Sequence, residues 1–187
     1  MLNSIIHRRR LFAQQQIEFL DNILFKNRYI KTGVFATNKT RTEIKFSLNN
    51  YKSATYIFGN SNSPCQELFN QINYSRTRYS SGNTLAIRNG ITDANVHIAK
   101  YNDGVYTLDG SSASKLNVST YTAVEQMYVG GTNSRDTWYS GRPNFNLYYM
   151  KIWENGVLIR HFVGAIIRGK ECIYDLVEEK AYPFFYA

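Results

Sequence analysis

A chain of 187 residues with 43% hydrophobic residues is long enough to bury the core of one domain, alone or with an arm. It contains no run of 18 apolar residues and no long apolar stretch after its basic start. The sequence therefore predicts neither a membrane-spanning helix nor a signal peptide. The formal net charge of +8 is concentrated at one end, since residues 1–52 hold ten Lys and Arg against three Asp and Glu. This asymmetry favours an acidic partner for the N-terminal third, with a solvated basic edge as the alternative.

Residues 1–20 are predicted to form an N-terminal arm, because residues 1–16 mix apolar, basic and Gln residues without the two-residue period of a strand. We expect the arm to dock on an acidic protein partner through ionic contacts and apolar anchors. Nucleic acid is the less favoured partner, because no recognition fold accompanies the three consecutive arginines. The predicted docking residues are Ile5, Ile6, Arg8, Arg9, Arg10, Leu11 and Phe12.

Residues 21–187 are predicted to form one β-sandwich, because short strands with turn signals between them follow one another from Tyr29 onward. The segment 41–48 alternates cleanly, with Thr42, Ile44, Phe46 and Leu48 on one face. Asn102-Asp103-Gly104 predicts a hairpin turn, and residues 132–144 read as an exposed loop. The predicted strands are 29–35, 41–48, 54–58, 68–74, 85–88, 95–101, 105–108 and 120–128.

The last part of the chain predicts a β-hairpin, in which residues 147–153 pair antiparallel with residues 157–163. Asn155-Gly156 supplies the turn, because both residues accept the positive φ of a type I′ turn. A further strand is expected at 172–177, and Trp153 and Phe162 are expected in the core. Strict alternation would place Leu147, Tyr149, Lys151 and Trp153 on one face and Tyr148, Met150 and Ile152 on the other.

This closing segment also carries a family resemblance. The stretches MKIWENGVLIRHFV (150–163) and CIYDLVEEKAYPF (172–184) resemble the end of small jelly-roll proteins of tailed phages and prophages, in the concanavalin A-like, laminin G-like group. The segments YIKTG (29–33), TRTEIKF (40–46), IFG (57–59) and the Arg8–Arg10 run are similar to further parts of the same family. The resemblance therefore extends over nearly the whole chain.

The resemblance implies an all-β, two-sheet antiparallel jelly-roll sandwich with an N-terminal arm. It also implies a non-enzymatic virion structural protein of the capsid decoration, head-fibre or tail-associated type, made in the host cytoplasm. Its expected partners are other virion proteins and copies of itself, with a surface glycan as a further ligand. A free carbohydrate-binding, lectin-like module is the first alternative, and a glycan hydrolase is the second.

Aromatic residues among turn-forming and charged residues predict a glycan- or surface-binding site, because a flat ring stacks on a sugar face while polar neighbours hydrogen-bond around it. The alternative is that Trp138 and Tyr139 fold back and cover one end of the sandwich. The candidate residues are Tyr74, Arg76, Tyr79, Asn133, Arg135, Asp136, Trp138 and Tyr139.

No residue pattern predicts catalysis, a cofactor or a metal. Glycan hydrolysis needs two carboxylates about 5–10 Å apart, and Glu171 and Asp175, four residues apart on one strand, would be roughly 13 Å apart. Cys65 and Cys172 are the only cysteines and are expected to be buried or idle thiols. Oxygen ligands for calcium exist without the spacing of a calcium loop, in Asp93, Asn95, Asp103 and Asp109.

Overall fold

The computed structural model describes residues 16–52, 55–61, 65–71, 74–80, 83–88, 90–113, 115, 118–139 and 143–186. Regular structure in these ranges consists of strands, without a helix. The strands are β1 (Ile17–Leu20), β2 (Ile23–Lys26), β3 (Arg28–Thr37), β4 (Arg41–Leu48), β5 (Thr55–Asn60), β6 (Cys65–Gln71), β7 (Tyr74–Ser80), β8 (Asn83–Arg88), β9 (Val96–Asn102), β10 (Val105–Leu108), β11 (Ser111–Ser112), β12 (Thr122–Val129), β13 (Thr132–Ser134), β14 (Thr137–Tyr139), β15 (Asn144–Glu154), β16 (Val157–Ile167), β17 (Lys170–Asp175), β18 (Lys180–Tyr182) and β19 (Phe185–Tyr186).

These strands form two sheets. Sheet one has the order β11-β10-β9-β4-β15-β16-β17-β18, with β1 beside β16 and β2 beside β15. Sheet two has the order β19-β3-β12-β5-β6-β7-β8, with the hairpin β13–β14 beside β5. Among the described pairings, the one parallel contact is the single residue pair Asn133–Asn60. The predicted two-sheet antiparallel sandwich is confirmed.

The core is filled by the inward residues of both sheets. Thr42, Ile44, Phe46 and Leu48 of β4 are buried, as the alternation predicts. Phe162 of β16 is fully buried, which confirms its predicted place in the core. Other large side chains that are fully buried include Phe25, Phe58, Tyr101, Tyr106 and Phe145.

The predicted closing hairpin forms. Met150 pairs with Phe162 and Glu154 pairs with Val157 in an antiparallel ladder. Asn155 and Gly156 have φ of 50° and 79°, which is the pattern of a type I′ turn. The predicted turn between β9 and β10 has the same geometry, since Asp103 and Gly104 have φ of 48° and 78°.

A bulge in β15 overturns the predicted faces of this strand. Leu147 pairs with Phe46 of β4, but Tyr149 pairs with the next residue of that strand, Lys45. Tyr148 is therefore an extra residue, and the strand changes parity there. Leu147 consequently faces the core while Tyr149, Lys151 and Trp153 face outward, so the expected burial of Trp153 is wrong: the residue is only half-buried.

Residues 17–26 fill a fork in the closing hairpin. Beyond the paired stretch β15 and β16 separate, and β2 pairs with residues 144–147 of β15 while β1 pairs with residues 164–167 of β16. β2 packs closely against β16, because a Cβ atom added to Gly164 would lie only 2.9 Å from Cβ of Ile23. The last four residues of the predicted arm, 17–20, thus lie within sheet one, and residues 1–15 lie outside the described part of the chain.

The predicted exposed loop 132–144 contains a hairpin instead. Strands β13 and β14 pair directly, and Arg135 and Asp136 form their two-residue turn with φ of 53° and 57°. Thr132 and Asn133 are fully buried. The predicted binding residues Tyr74, Arg76 and Tyr79, which lie among turn-forming residues in the sequence, are also part of a strand, β7. In both segments polar residues that favour loops are held in a sheet by their neighbours, because the cross-strand ladder overrides local propensity.

Candidate functional site

The predicted arm residues Ile5, Ile6, Arg8–Arg10, Leu11 and Phe12 lie outside the described residues. Of the predicted glycan-binding residues, Asn133 is placed where no surface ligand reaches it. Its side chain is fully buried, and its Nδ2 donates a hydrogen bond of 3.0 Å to the carbonyl of Gln126. The expectation that Asn133 contacts a ligand is therefore wrong, because the amide holds β13 against β12.

Trp138 is turned back onto the protein. Its Nε1 donates a hydrogen bond of 2.9 Å to the carbonyl of Gly130, and its ring stacks on Tyr29 at 5.2 Å between centroids. Tyr29 in turn stacks on Tyr128 and on Phe185. This geometry matches the alternative interpretation, in which Trp138 covers part of the sandwich.

The remaining predicted residues are divided between two places in sheet two. Arg135 and Asp136 are exposed at the β13–β14 turn, and Tyr139 pairs through its backbone with Thr132. Tyr74, Arg76 and Tyr79 lie on β7, and the strands β5 and β6 separate them from the β13–β14 hairpin. The fold therefore does not bring the two predicted groups into one site.

A different surface combines aromatic and charged side chains, and we call it the β4–β15 face. It is the outward side of sheet one, because the inward residues Thr42, Ile44, Ala99 and Ile152 that alternate with it are buried. The β4–β15 face consists of Arg41, Glu43, Lys45, Lys100, Asn102, Tyr148, Tyr149, Lys151 and Trp153.

Trp153 and Arg41 lie at the turn end of this face. They are direct cross-strand partners between β15 and β4, which places the indole and the guanidinium side by side. A groove of about 270 Å³ lies beside them and is lined also by Glu43, Lys100 and Asn102. A half-buried indole ring next to hydrogen-bonding groups is a stacking platform for a flat, polar ligand.

Glu43 organises the polar part of the groove. It accepts hydrogen bonds of 2.8 Å from the hydroxyl of Tyr149 and from Nζ of Lys100. Burial opposes ionisation of Glu43, but the hydrogen bonds of Lys100 and Tyr149 outweigh it and lower the pKa of the carboxyl. Burial, followed by the bond to Glu43, raises the pKa of Tyr149 to about 12. The carboxylate is thus ionised and the phenol neutral around pH 7, which fixes both side chains in one arrangement.

A second groove, of about 290 Å³, lies at the turn end of the same face. Three turns meet there: the β3–β4 turn, the β9–β10 turn and the β15–β16 turn. Arg41 lines both grooves, so the two adjoin at this residue. The groove is polar, and its lining residues are Asn38, Lys39, Arg41, Asp103, Asn155 and Gly156.

The other titratable clusters serve the fold. His97 is hydrogen-bonded on Nδ1 to Asp109 at 2.7 Å and on Nε2 to Asp93 at 3.0 Å, while Asp103 pairs with Lys115 at 2.9 Å. In the described ranges no group of three or more His, Cys, Asp and Glu is arranged to hold a metal ion.

Cys65 and Cys172 are both buried thiols outside any disulfide, as expected. Burial raises the pKa of the Cys172 thiol, which keeps it protonated and unreactive. No helix that is long and apolar enough to cross a membrane occurs in the described part of the chain.

Comparison with known proteins gives a similarity of fold without one of sequence. No family model matches the chain, and no curated protein sequence matches it. The Ruminococcus gnavus IT-sialidase CBM40, solved with α2,3-sialyllactose, superposes with a TM-score of 0.53 at 9% identity, over 74% of this chain and 90% of that one. This similarity shows that the chain has a jelly-roll fold, which it shares with that module.

Two laminin structures are also similar. Domains LG4–5 of the mouse laminin α1 chain give a TM-score of 0.46 at 15% identity, over 79% of this chain and 44% of that one. The LG1–3 region of the laminin α2 chain gives 0.49 at 14% identity, over 92% and 29% respectively. The chain spans less than half of each laminin structure.

The sequence prediction missed the β4–β15 face for a specific reason. Tyr149, Lys151 and Trp153 were grouped with Leu147, a core residue, because the bulge at Tyr148 is invisible to a two-residue period. One signal in the sequence pointed to the outward face. Lys151 lies between Tyr149 and Trp153 at alternate positions, and a strand face that packs in a core would carry an apolar residue there.

Proposed function

We propose that the protein is a non-catalytic glycan-binding module whose ligand lies on the β4–β15 face. The observation that carries this proposal is the half-buried Trp153 beside Arg41, at the edge of a groove whose polar groups are already oriented. The indole ring stacks on a sugar ring, and Arg41, Lys100 and Asn102 supply hydrogen-bond donors to its substituents.

The fold supports the same proposal. A carbohydrate-binding module that shares the jelly-roll architecture was solved with a trisaccharide, α2,3-sialyllactose, bound to it. A binding role without hydrolysis agrees with the state of Glu43. A general acid must hold a proton near neutral pH, whereas the pKa of this carboxyl is lowered.

The proposal is tested with a glycan panel that includes α2,3-sialyllactose, probed with the full chain and with Trp153→Ala. We expect the substitution to lower the affinity for bound glycans at least about tenfold, because a buried aromatic anchor dominates such interfaces. Phe35→Ala is the matched control, since Phe35 is a half-exposed aromatic residue on the outer side of sheet two. Equal losses for the two variants, or no bound glycan at all, would contradict the proposal.

A virion location is the second part of the proposal and rests on the sequence resemblance to phage jelly-roll proteins. In that setting residues 1–16 anchor the protein on an acidic virion partner and the sandwich carries the glycan site. Three exposed ion pairs contribute only about 0–1 kcal/mol each, so the apolar residues Ile5, Ile6, Leu11 and Phe12 supply most of the anchoring. Deletion of residues 1–16 should release the protein from particles, and normal occupancy after deletion would contradict this anchor.

A further inference from the structure

The β4–β15 face continues beyond the Trp153 groove, toward the bulge in β15. There the bulge places two consecutive tyrosines, Tyr148 and Tyr149, half-buried on the surface. Each carries a lysine ammonium over its ring. Nζ of Lys45 lies 5.4 Å from the ring centre of Tyr148, and Nζ of Lys151 lies 5.1 Å from that of Tyr149. A regular strand would have turned one of the two rings into the core.

Positive charge dominates this extended surface. In the described part of the chain, no salt bridge within 4 Å involves Lys39, Arg41, Lys45 or Lys151. The carboxylates of the region are already engaged, because Glu43 is paired with Lys100 and Asp103 with Lys115, and Glu154 accepts hydrogen bonds from Thr37 and Thr40. Four cations are thus available to an incoming anion.

The cations lie along a line rather than in a cluster. From Asn155 at the turn to Tyr149 near the bulge, the strand covers six steps, which is about 20 Å. Lys39 and Arg41 lie at one end of this line, and Lys45 and Lys151 lie toward the other. A surface of this length contacts several consecutive sugar rings. Its cations can therefore pair with acidic substituents at more than one position along the chain of sugars.

From this arrangement we infer that the ligand is a polyanionic polysaccharide, a chain with carboxylate or sulfate groups on its repeating units, bound lengthwise along β15. This inference rests on the proposed glycan-binding function and specifies its substrate class. Aromatic rings contact the sugar faces, and the ammonium and guanidinium groups pair with the acidic substituents. A short neutral glycan uses the Trp153 groove alone.

The test compares the affinities of the full chain for polygalacturonate, dextran sulfate, neutral dextran, monomeric galacturonic acid and a single-stranded DNA. We expect the two acidic polysaccharides to bind more tightly than neutral dextran and the monomer, and to weaken as salt is raised. The affinities for polygalacturonate and for dextran sulfate distinguish recognition of carboxylate from recognition of sulfate. Neutral dextran or the monomer binding as tightly as the acidic chains would overturn the inference, and so would DNA binding as tightly.

Two lysine variants locate the interaction. Lys45→Gln and Lys151→Gln should each weaken binding of the acidic polysaccharide about two- to fivefold, and weaken binding of a short neutral glycan by less. Lys180→Gln is the matched control, because Lys180 lies 5.3 Å from the ring centre of Tyr182 at the far edge of sheet one. If all three variants bind alike, the inference fails while a glycan site at Trp153 still stands. If no glycan of either kind binds, the proposed function itself fails.

Discussion

The two tryptophans of this protein occupy comparable positions near strand ends but have different roles. Trp138, on sheet two, stacks on Tyr29 with 14° between the ring planes and gives its N–H to the carbonyl of Gly130. Trp153, on sheet one, has Arg41 as its cross-strand partner and borders an open groove. The first indole has its polar atom and a ring face satisfied within the chain, whereas the second presents its ring beside charged groups.

This difference shows that the partners of an aromatic ring, rather than its sequence neighbours, decide its role. Trp138 lies among Asn, Ser, Asp and Gly, a context typical of an exposed loop. Trp153 lies in a hydrophobic strand, a context typical of a core. The folded chain reverses both expectations. We therefore expect substitutions near Trp138 to cost stability, and substitutions near Trp153 to cost binding.

The largest expected loss of stability comes from substitution of the glycine beside Trp138, compared with the glycine that follows Trp153. Gly130, which accepts the Trp138 hydrogen bond, has φ of +85°, and a Cβ atom there would lie 2.3 Å from the carbonyl oxygen of Arg28. Gly156, in the turn after Trp153, has φ of +79° with no atom within 4 Å of a Cβ. Gly130→Ala should lower the free energy of unfolding by about 3–5 kcal/mol, since backbone strain and overpacking combine.

Gly156→Ala is the control for backbone strain alone and should cost about 1–2 kcal/mol. Chemical denaturation of the two variants measures the difference directly. Comparable losses would mean that the contacts around Gly130 relax freely, and that the Trp138 cluster is less tightly packed than the distances indicate.

The next effect concerns the tryptophans themselves. Trp138→Ala should lower the free energy of unfolding by about 2–4 kcal/mol, because it removes a stacked ring and leaves the carbonyl of Gly130 without its donor. Trp153→Ala should cost less than about 1 kcal/mol, as expected for a residue at the surface. Denaturation and glycan affinity measured on the same samples give the comparison.

Trp138→Phe separates packing from the hydrogen bond in this series, since it keeps a ring on Tyr29 and removes the N–H. It should recover part of the stability lost in Trp138→Ala. A larger stability loss for Trp153→Ala than for Trp138→Ala would reverse the assignment of the two roles.

Much of the fold was accessible from the sequence because its signals are local. Asn155-Gly156 and Asp103-Gly104 accept positive φ, and the alternation of residues 41–48 has one apolar face. The bulge at Tyr148 was not accessible, because an extra residue in one strand is defined only by the register of its neighbour β4.

The fork filled by residues 17–26 could not be predicted from the sequence for a similar reason. It depends on two strands that separate at a place where their own sequences continue as strands. The candidate site follows the bulge, and this explains why the predicted site residues and the observed face differ.

The smallest expected effect is a pH dependence at the edge of the β4–β15 face. His161 pairs across strands with Lys151, and its ring packs edge-on against Tyr149. Burial, and then the charge of Lys151, lower the pKa of His161 from its usual 6.5, against the opposing influence of Asp175 and Glu43. Below about pH 6.5 the unfolded chain therefore binds a proton that the folded chain resists, and the free energy of unfolding falls as the pH falls.

His161→Gln removes this proton and should flatten the stability profile between about pH 7.5 and about pH 5.5, the range in which histidine titrates and most carboxylates do not. Lys151→Met should act in the same direction more weakly, because it removes only the second cause of the shift. Unfolding midpoints of the wild-type chain and both variants at the two pH values measure the effect. The same loss of stability in the wild-type chain and in His161→Gln would mean that His161 takes up its proton as readily in the folded state as in the unfolded one. Burial of the ring and the charge of Lys151 would then act on His161 more weakly than their arrangement implies.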